Sequence, residues 1–397
     1  MNKKQLLRDT IKRTPMCIHS LCTWGKIHQL EAIYLKPEEV SEGENSFIRK
    51  EQLVEESCRK HQKRSSRIKK AADKALNTSP LLKGRDDLEQ LRTDILFCYF
   101  AYGYVPEEYV FYHFYDHRDE AYRRTYVSEI ERLCCRYAMN DFTESSFSDK
   151  TVEYDTLKAF YGRDAVAVRS QSDFDAFSRF IKEHPVFVEK PAISSMGKGV
   201  RLVNIQKESV DPKKYFDNLE RGGVWLLEQE IKQSSIMSVF NNSVNTCRVA
   251  SFRTKDGLEI PWGFFRTGRK GSFADNAHLG GVYAAIDTKK GIICGKVMDS
   301  HGSEYAAHPD SGAIFENFAL PDWKQALDLI RKAAEIVPEV KFSSWDLAYT
   351  DHGWVIVEVN PSGQFLWQAS MQKGCKEEIK DIMGRMELVV SFGLEGR

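Results

Sequence analysis

Three oxygen-bearing side chains near the C-terminal end of the chain have the types and the spacing of a metal site. Asp346 lies in the segment SSWDLAYT, and Glu358 and Asn360 lie in WVIVEVN shortly after it. We predict that these segments are the strands of one hairpin, joined by a three-residue loop in which Gly353 adopts a positive φ. This register pairs Asp346 with Glu358. It also projects both carboxylates and Asn360 from one face, because side chains alternate along a strand.

Two facing carboxylates repel each other, and burying them is costly unless a positive charge lies between them. Carboxylate and amide oxygens are ligands that Mg²⁺ prefers, together with water and nucleotide phosphate oxygens. The hairpin therefore predicts a Mg²⁺ site at Asp346, Glu358 and Asn360, and an exposed hairpin with solvated acids is the alternative. Val357 is expected on the opposite, core-facing side.

Upstream of the hairpin, the segment EKPAISSMGKGVRLV has features of a phosphate-binding element. Lys190 ends a predicted strand, and Met196, Gly197, Lys198 and Gly199 lie in a loop before the next strand. Backbone amides of a glycine-containing loop can approach phosphate oxygens closely, and the lysines add positive charge. The GxxxxGK[ST] spacing of a Walker A motif is absent. A plain hairpin turn is the alternative.

Two further segments carry candidate partners for anionic oxygens. NTCRV contains Arg248, and FFRTGRKGSFADNAHLGG contains Arg266, Asn276 and His278. A guanidinium group matches the geometry of carboxylate and phosphate oxygens. For each arginine a surface ion pair is the alternative, and His278 is a candidate base whose alternative is a structural role.

In this order along the chain, the motifs resemble those of the ATP-grasp superfamily, most closely its sugar-transfer associated branch, with similarity to the glutamate-ligase branch. The resemblance covers about residues 145–375. It also includes DK at 149–150, LLEQEI at 226–231 and VIVEVNPSG at 355–363. It implies an α+β fold in which two subdomains grip ATP and a preceding domain helps to close the cleft.

The resemblance also implies roles for individual residues, with ATP and Mg²⁺ as the cofactors. The implied catalytic residues are Lys190, Arg248 and Arg266, and the implied metal ligands are Asp346, Glu358 and Asn360. The implied nucleotide-binding residues are Lys150, Lys190, Met196, Gly197, Lys198, Gly199, Glu228, Gln229, Ile231 and Asn276.

The chain has 397 residues, enough for two or three packed units. We predict four regions: a basic helical extension at 1–84, a helical region at 85–144, and two ATP-grasp subdomains at 145–235 and 236–397. After residue 140, short strands that alternate with helices indicate the α+β class. Residues 86–102 and 106–137 are predicted helices, with the aromatic side chains between 104 and 115 in the core.

Charge is unevenly distributed. Residues 1–84 contain 18 Lys and Arg against 10 Asp and Glu, whereas the whole chain contains 57 of each. The excess concentrates at 58–74. The interpretations are contact with a polyanion, contact with an anionic membrane, and a helix that is only solvated or faces a partner. We expect no nucleic-acid or membrane partner beyond this segment. The absence of an apolar run of ~20 residues, of a signal peptide and of paired cysteines favours a cytoplasmic location.

The resemblance implies an ATP- and Mg²⁺-dependent carboxylate–amine ligase that forms an amide through an acylphosphate, in a glycan- or peptide-modifying pathway. Its partners would be ATP, a carboxylate and an amine or another nucleophile. One alternative is an ATP-dependent phosphotransferase that acts on a hydroxyl with the same fold. The other is a non-catalytic adaptor that binds a polyanion through the basic helices.

Overall fold

The structure is a computed structural model that describes residues 46–140, 147, 149–194, 197–207, 211–271, 280–361 and 363–388, together with positions 35 and 40. A group of helices and two antiparallel sheets make up this part of the chain. The elements confirm the predicted α+β class and the mainly helical N-terminal region.

Within the described residues, six helices form the N-terminal region. They are α1 Ser46–Lys60, α2 Gln62–Thr78, α3 Leu88–Tyr102, α4 Pro106–Phe111, α5 Glu120–Arg124 and α6 Glu129–Met139. Helix α3 is buried along most of its length, and α1, α2 and α4 pack against it. The aromatic side chains that follow α3 fill the same hydrophobic cluster, which confirms their predicted place in the core.

The segment predicted as one helix over 106–137 is three helices in the structure. After α4 the chain turns at His113, which has a φ of 53°. Asp119 caps α5, and Ser128 caps α6 in a reciprocal capping box with Glu131. These caps satisfy backbone N–H groups that lack a partner inside a helix, so the helix can end and restart at each of them.

The smaller sheet has four strands in the order β1, β4, β2, β3, and each neighbouring pair is antiparallel. The strands are β1 Ala165–Val168, β2 Val186–Pro191, β3 Arg201–Asn204 and β4 Trp225–Gln229. Helix α7 Lys150–Leu157 precedes the sheet, and α8 Phe174–Glu183 and α9 Pro212–Gly222 pack on it. Phenylalanines from these two helices fill the cluster beneath the sheet.

The larger sheet has the order β10, β9, β8, β7, β5, β11, β12, with β6 paired to β5, and it is antiparallel throughout. The strands are β5 Thr246–Thr254, β6 Gly257–Glu259, β7 Gly263–Thr267, β8 Val282–Asp287, β9 Ile292–Asp299, β10 Glu304–Tyr305, β11 Phe342–Thr350 and β12 Gly353–Asn360. Strands β1, β6, β9 and β10 were not predicted from the sequence. Gly295 inside β9 weakens the strand pattern there.

Three more helices complete the described chain: α10 Trp323–Ile336, α11 Leu366–Met371 and α12 Lys376–Arg385. The last two hold the helical region against the larger sheet. The Gln368 side chain accepts from the N–H of Val127 at 2.9 Å and donates to its carbonyl at 3.2 Å. On α12, the Lys376 ammonium donates to Glu131 at 2.7 Å, and both side chains are buried.

The basic segment 58–74 forms the end of α1 and most of α2. Lys63, Arg67, Lys70 and Lys74 are exposed, and their spacing places them on one face of α2. Contact of this segment with a polyanion stays a prediction, as do the boundaries of the four predicted regions. Among the helices that the structure describes, none combines the length and the apolar character needed to cross a membrane.

The buried pair between Lys376 and Glu131 yields a stability prediction. Replacing the lysine in Lys376→Met leaves the Glu131 carboxylate buried without its cation, so we expect the free energy of unfolding to fall by about 3 kcal/mol. Denaturant unfolding measures this change. The control is Lys380→Met on the same helix, whose partner Glu377 is largely exposed, so little change is expected. Equal losses in the two variants would contradict the importance assigned to the buried pair.

Candidate active site

A cleft of about 1350 Å³ lies between the two sheets, and the helical region contributes to its wall. This volume exceeds the roughly 300–1000 Å³ of common small-ligand pockets, so the cleft has room for more than one such ligand. Most of the site residues predicted from the sequence line this cleft. Those that line it are Lys150, Lys190, Gly197, Glu228, Gln229, Ile231, Arg248, Arg266, Asp346, Glu358 and Asn360.

The hairpin of β11 and β12 has the predicted register at its site end. Asp346 pairs with Glu358, and Ser344 pairs with Asn360. On its other side Asp346 pairs with Arg248 of β5, so Arg248, Asp346 and Glu358 form a row across three neighbouring strands. Side chains in such a row project from the same face of a sheet and contact each other.

The loop and strand geometry that produce this register differ from those predicted. The loop has two residues rather than three, since Thr350 pairs with Gly353, whose φ is 103°. A β-bulge after Asp346 supplies the extra residue on β12 and restores the predicted pairing. The bulge also corrects the predicted position of Val357, which lines the cleft, while Ile356 takes the core-facing place.

Asp346 is buried between two guanidinium groups. Arg248 donates from Nε to Oδ1 at 2.6 Å and from Nη2 to Oδ2 at 2.5 Å, and Arg266 donates from Nη2 to Oδ2 at 2.9 Å. Burial alone would raise the pKa of Asp346, but the two positive charges outweigh it and lower the pKa to about 2. Arg248 also lies 3.6 Å from the Glu358 carboxylate, so a guanidinium occupies the space between the two acids.

Glu358 and Asn360 present oxygen atoms at the wall of the cleft. The Glu358 side chain is 34% exposed, and the Asn360 amide donates to it at 3.4 Å. A carboxylate and an amide oxygen suit a hard divalent cation. Because Asp346 already accepts three hydrogen bonds from arginines, the residues fit a cation best at Glu358 and Asn360, with Asp346 behind them. The metal assignment stays a prediction.

Lys190 belongs to a buried ion cluster on the smaller sheet. Its ammonium donates to Glu228 at 2.8 Å, and Arg163 donates to the same carboxylate oxygen from Nε and Nη2 at 3.1 and 2.8 Å. Burial would raise the pKa of Glu228, yet these two cations lower it overall. The Glu228 side chain is thus engaged with cations, and Gln229 and Ile231 continue the wall beyond it.

Arg163 joins the two sheets and was not identified from the sequence. Besides Glu228, its guanidinium donates to the carbonyls of Ile356 and Val357, at 2.6 and 3.2 Å. These carbonyls lie at the bulge of β12, so one buried side chain connects the ion cluster of the smaller sheet to the hairpin. A lone arginine in a loop carries no sequence signal for such a role.

Lys150 is the first residue of α7, where Asp149 caps the helix by accepting from the N–H of Thr151 at 2.9 Å. The Lys150 ammonium donates to the carbonyl of Ser194 at 2.9 Å and has no carboxylate partner among the described residues. Its charge is therefore not balanced by an acid in this part of the chain. That property suits a residue expected to contact phosphate.

The glycine loop is only partly in the cleft. Gly197 and Gly199 have φ values of 70° and 76°, and a Cβ on Gly199 would lie 2.8 Å from the Pro191 ring. Gly197 lines the cleft, whereas Lys198 and Gly199 are at the exposed tip of the turn and are not brought into the wall. The remaining assigned residues, Met196, Asn276 and His278, lie outside the described residues.

Glu153 of α7 lines the cleft and was also missed. Its Oε1 accepts from the Tyr161 hydroxyl at 2.6 Å and from the N–H of Val359 at 2.7 Å. Burial raises the pKa of this carboxyl to about 8, and the negative charge of Glu358 adds to the increase. It holds β12 against α7 next to the predicted metal ligands.

The helical region forms a wall of the cleft, and the residues that contribute to this wall were not identified from the sequence. The contributing residues are Val105, Glu107, Glu108, Phe111, Tyr112, Val127, Glu129, Arg132 and Arg136. They lie more than 200 residues from the hairpin along the chain. Within one sequence, no spacing or periodicity relates segments so far apart.

A family model described as sugar-transfer associated ATP-grasp matches residues 161–383, which is more than half of the chain. The chain belongs to the sugar-transfer associated ATP-grasp family. This membership confirms the resemblance inferred from the motifs and the fold that it implied. The two sheets are the two halves of the ATP-grasp fold, and the cleft between them contains most of the residues assigned from the motifs.

Several solved ATP-grasp structures are similar to this chain, each with 12% sequence identity. An ADP complex of N5-carboxyaminoimidazole ribonucleotide synthetase matches 55% of this chain and 45% of its own, with a TM-score of 0.35. D-alanine–D-alanine ligase from Helicobacter pylori matches 62% of this chain and 60% of its own, with a TM-score of 0.37. L-amino acid ligase from Bacillus licheniformis matches 55% of this chain and 41% of its own, with a TM-score of 0.33. The match covers less than two thirds of each of those chains. No curated protein matches the sequence.

The buried Glu153 predicts a pH dependence of stability. Because its pKa is about 8 in the folded chain and near 4.5 when unfolded, its stabilising contribution is complete below pH 4.5 and is lost as the pH rises toward 8. In Glu153→Gln the amide oxygen can accept the same two hydrogen bonds without ionising. We therefore expect the free energy of unfolding of the variant, relative to that of wild type, to rise by about 2–3 kcal/mol between pH 5 and pH 8, at roughly 1.4 kcal/mol per pKa unit.

Denaturant unfolding at both pH values measures the difference between Glu153→Gln and wild type. The matched control is Glu339→Gln, which removes an exposed carboxylate and should follow wild type at both values. A constant difference between Glu153→Gln and wild type across this range would show that Glu153 does not titrate there.

Proposed function

We propose that this protein is an ATP- and Mg²⁺-dependent carboxylate–amine ligase that forms an amide bond through an acylphosphate. The observation that carries the proposal is the meeting, in one cleft, of lysines for phosphate, arginines for an anion and oxygen ligands for a cation. These residues are Lys150, Lys190, Arg248, Arg266, Asp346, Glu358 and Asn360.

In this proposal Lys150 and Lys190 offset the charge of the nucleotide phosphates, and Gln229 and Ile231 lie against the base. Glu358 and Asn360 would hold Mg²⁺, which, when bound, neutralises phosphate charge as a Lewis acid. Asp346 is a positioning residue, since its carboxylate fixes two guanidinium groups.

The reaction has two steps. A carboxylate oxygen of the donor attacks the γ-phosphorus, the bond to the bridging oxygen of ADP breaks, and ADP leaves. The amine nitrogen then attacks the acyl carbon, and the bond between this carbon and the phosphate oxygen breaks. Inorganic phosphate leaves, and the nitrogen loses a proton. Arg248 and Arg266 hold the donor carboxylate and balance the charge on the group in transfer. The acylphosphate is hydrolysable, so the site must keep water away from it.

The family description, sugar-transfer associated, supports a glycan- or peptide-linked substrate. The cytoplasm is the proposed location, on the cysteine pattern given above. A phosphotransferase that acts on a hydroxyl is the second candidate, because the same phosphate and cation contacts serve both reactions. The products separate the two: a ligase gives an amide, ADP and phosphate, whereas a phosphotransferase gives a phosphoester and ADP.

The assignment of Glu358 predicts a loss of activity on substitution. In an ADP-release assay with pooled carboxylates, pooled amines and Mg²⁺, we expect Glu358→Gln to reduce the rate by about 100-fold, because a charged ligand for the cation is lost. The control is Glu335→Gln on the exposed face of α10, which makes the same chemical change far from the cleft and should match wild type. If Glu358→Gln also matches wild type, the metal assignment fails.

A further inference from the structure

The wall of the cleft next to the helical region adjoins the arginines of the proposed reaction centre. Arg248 donates from Nη1 to the Gln364 side chain at 3.0 Å, and Arg132 of α6 donates from Nη1 to the carbonyl of Gly363 at 3.2 Å. The two arginines thus contact neighbouring residues of one loop. A molecule bound against the helical wall would lie close to a carboxylate substrate held by Arg248.

Acidic side chains give this wall its charge. Glu108 of α4 accepts from the backbone N–H of Val105 and of Glu129, at 3.0 and 3.1 Å, which ties α4 to α6. Glu129 is itself bound by Arg132 at 2.6 and 2.7 Å. Glu107 is exposed and makes no hydrogen bond or ion pair with any described residue. Its charge remains uncompensated in this part of the chain.

The environment of Glu108 favours an additional positive charge. Burial, and after it the negative charge of Glu129, raise the pKa of its carboxyl to about 8. A cation bound beside Glu107 and Glu108 would relieve this repulsion.

An unpartnered hydroxyl in the same wall is an independent sign of a ligand. Tyr283 of β8 lines the cleft, its side chain is buried, and its Oη has no hydrogen-bond partner within the described residues. It lies close enough to Tyr112 to influence that hydroxyl electrostatically, and the Tyr112 hydroxyl donates to Glu108 at 3.4 Å. A buried hydroxyl without a partner costs free energy that a polar ligand atom would recover.

The remaining surface of this wall is apolar. Val105, Phe111 and Leu366 line the cleft and are half-buried, so they present hydrocarbon surface to a ligand. The Glu107 carboxylate, the Glu108 carboxyl, which a neighbouring cation would ionise, and a hydroxyl lie next to such a surface. Together they match an ammonium group attached to an apolar or aromatic body, because an ammonium offers three donors and no acceptor.

We propose that this acceptor wall, formed by Val105, Glu107, Glu108, Phe111, Tyr283 and Leu366, binds the amine substrate as a primary ammonium attached to an apolar or aromatic group. The ammonium lies against the two glutamates and the Tyr283 hydroxyl, and the apolar group lies against Phe111 and Leu366. The inference rests on the proposed function and extends it. Arginines hold the anionic donor, and carboxylates hold the cationic acceptor, so opposite charges place the two reactants side by side.

The binding test uses the full chain and two probes of nearly equal shape, 2-phenylethylammonium and 2-phenylethanol, with affinities measured by calorimetry or ligand-observed NMR. We expect wild type to prefer the ammonium. Glu107→Gln and Tyr283→Phe should each weaken ammonium binding by about 5–10-fold and weaken binding of the alcohol by less, because the alcohol hydroxyl carries no charge. The Glu335→Gln control should behave as wild type. Equal affinity of wild type for both probes, or ammonium binding that neither variant weakens, would overturn the proposal.

Unfolding of Tyr283→Phe separates ligand binding from a structural role. Because the hydroxyl has no partner among the described residues, its removal should not lower the melting temperature. A lower melting temperature would mean that Tyr283 acts in packing and would overturn its part in the acceptor wall.

A hydroxylamine trap distinguishes failure of this inference from failure of the proposed function. Hydroxylamine attacks the acyl carbon of an acylphosphate and releases phosphate, and it is uncharged at neutral pH. With ATP, Mg²⁺ and pooled carboxylates, wild type should form hydroxamate, and the Glu335→Gln control should form it at the same rate. Hydroxamate formation without a preference for the ammonium probe rejects only the acceptor wall. An absence of hydroxamate in wild type itself rejects the ligase proposal.

Discussion

The buried carboxylate of Asp346, shared by Arg248 and Arg266, is the interaction on which the arrangement of the cleft depends. It joins β7, β5 and β11 on the face that lines the cleft, and removing both cations would leave an unpaired buried charge, at a cost of about 3–5 kcal/mol. The guanidinium groups are therefore oriented by the fold before any ligand binds. Preorganised charge of this kind stabilises a developing anion without reorganisation during the reaction.

A second buried ion cluster keeps the smaller sheet in register with the larger one. Arg163 contacts Glu228 on β4 and two carbonyls of β12, and Lys190 binds the same Glu228 carboxylate. Lys190 is the residue proposed to contact phosphate. It is thus held in place by the carboxylate that also binds Arg163, the residue that links the two sheets. A movement of one sheet relative to the other would change the distance between the lysine and the hairpin. The geometry of the cleft is consequently sensitive to this one cluster.

The sequence was informative where chemistry is local and silent where it depends on contacts between distant segments. Strand alternation predicted the pairing of Asp346 with Glu358, and the motif order predicted the fold. The bulge at Val357 could not be predicted, because it requires no particular residue type. The predicted loop was one residue too long for the same reason. The acidic wall at Glu107 could not be predicted, since its proximity to the cleft arises from the docking of helices far away in the chain.

The two-residue turn and the bulge of the hairpin compensate each other, which has a consequence for comparing homologues. The tip of the hairpin and the end that lines the cleft are fixed by different residues, so a relative can lengthen its turn by one residue if it lacks the bulge, and both versions keep Asp346 opposite Glu358. A gap that sequence comparison places in the turn belongs structurally at Val357. Alignments in this family should therefore be anchored on the paired acids and extended toward the turn, so that insertions and deletions are assigned to the correct strand position.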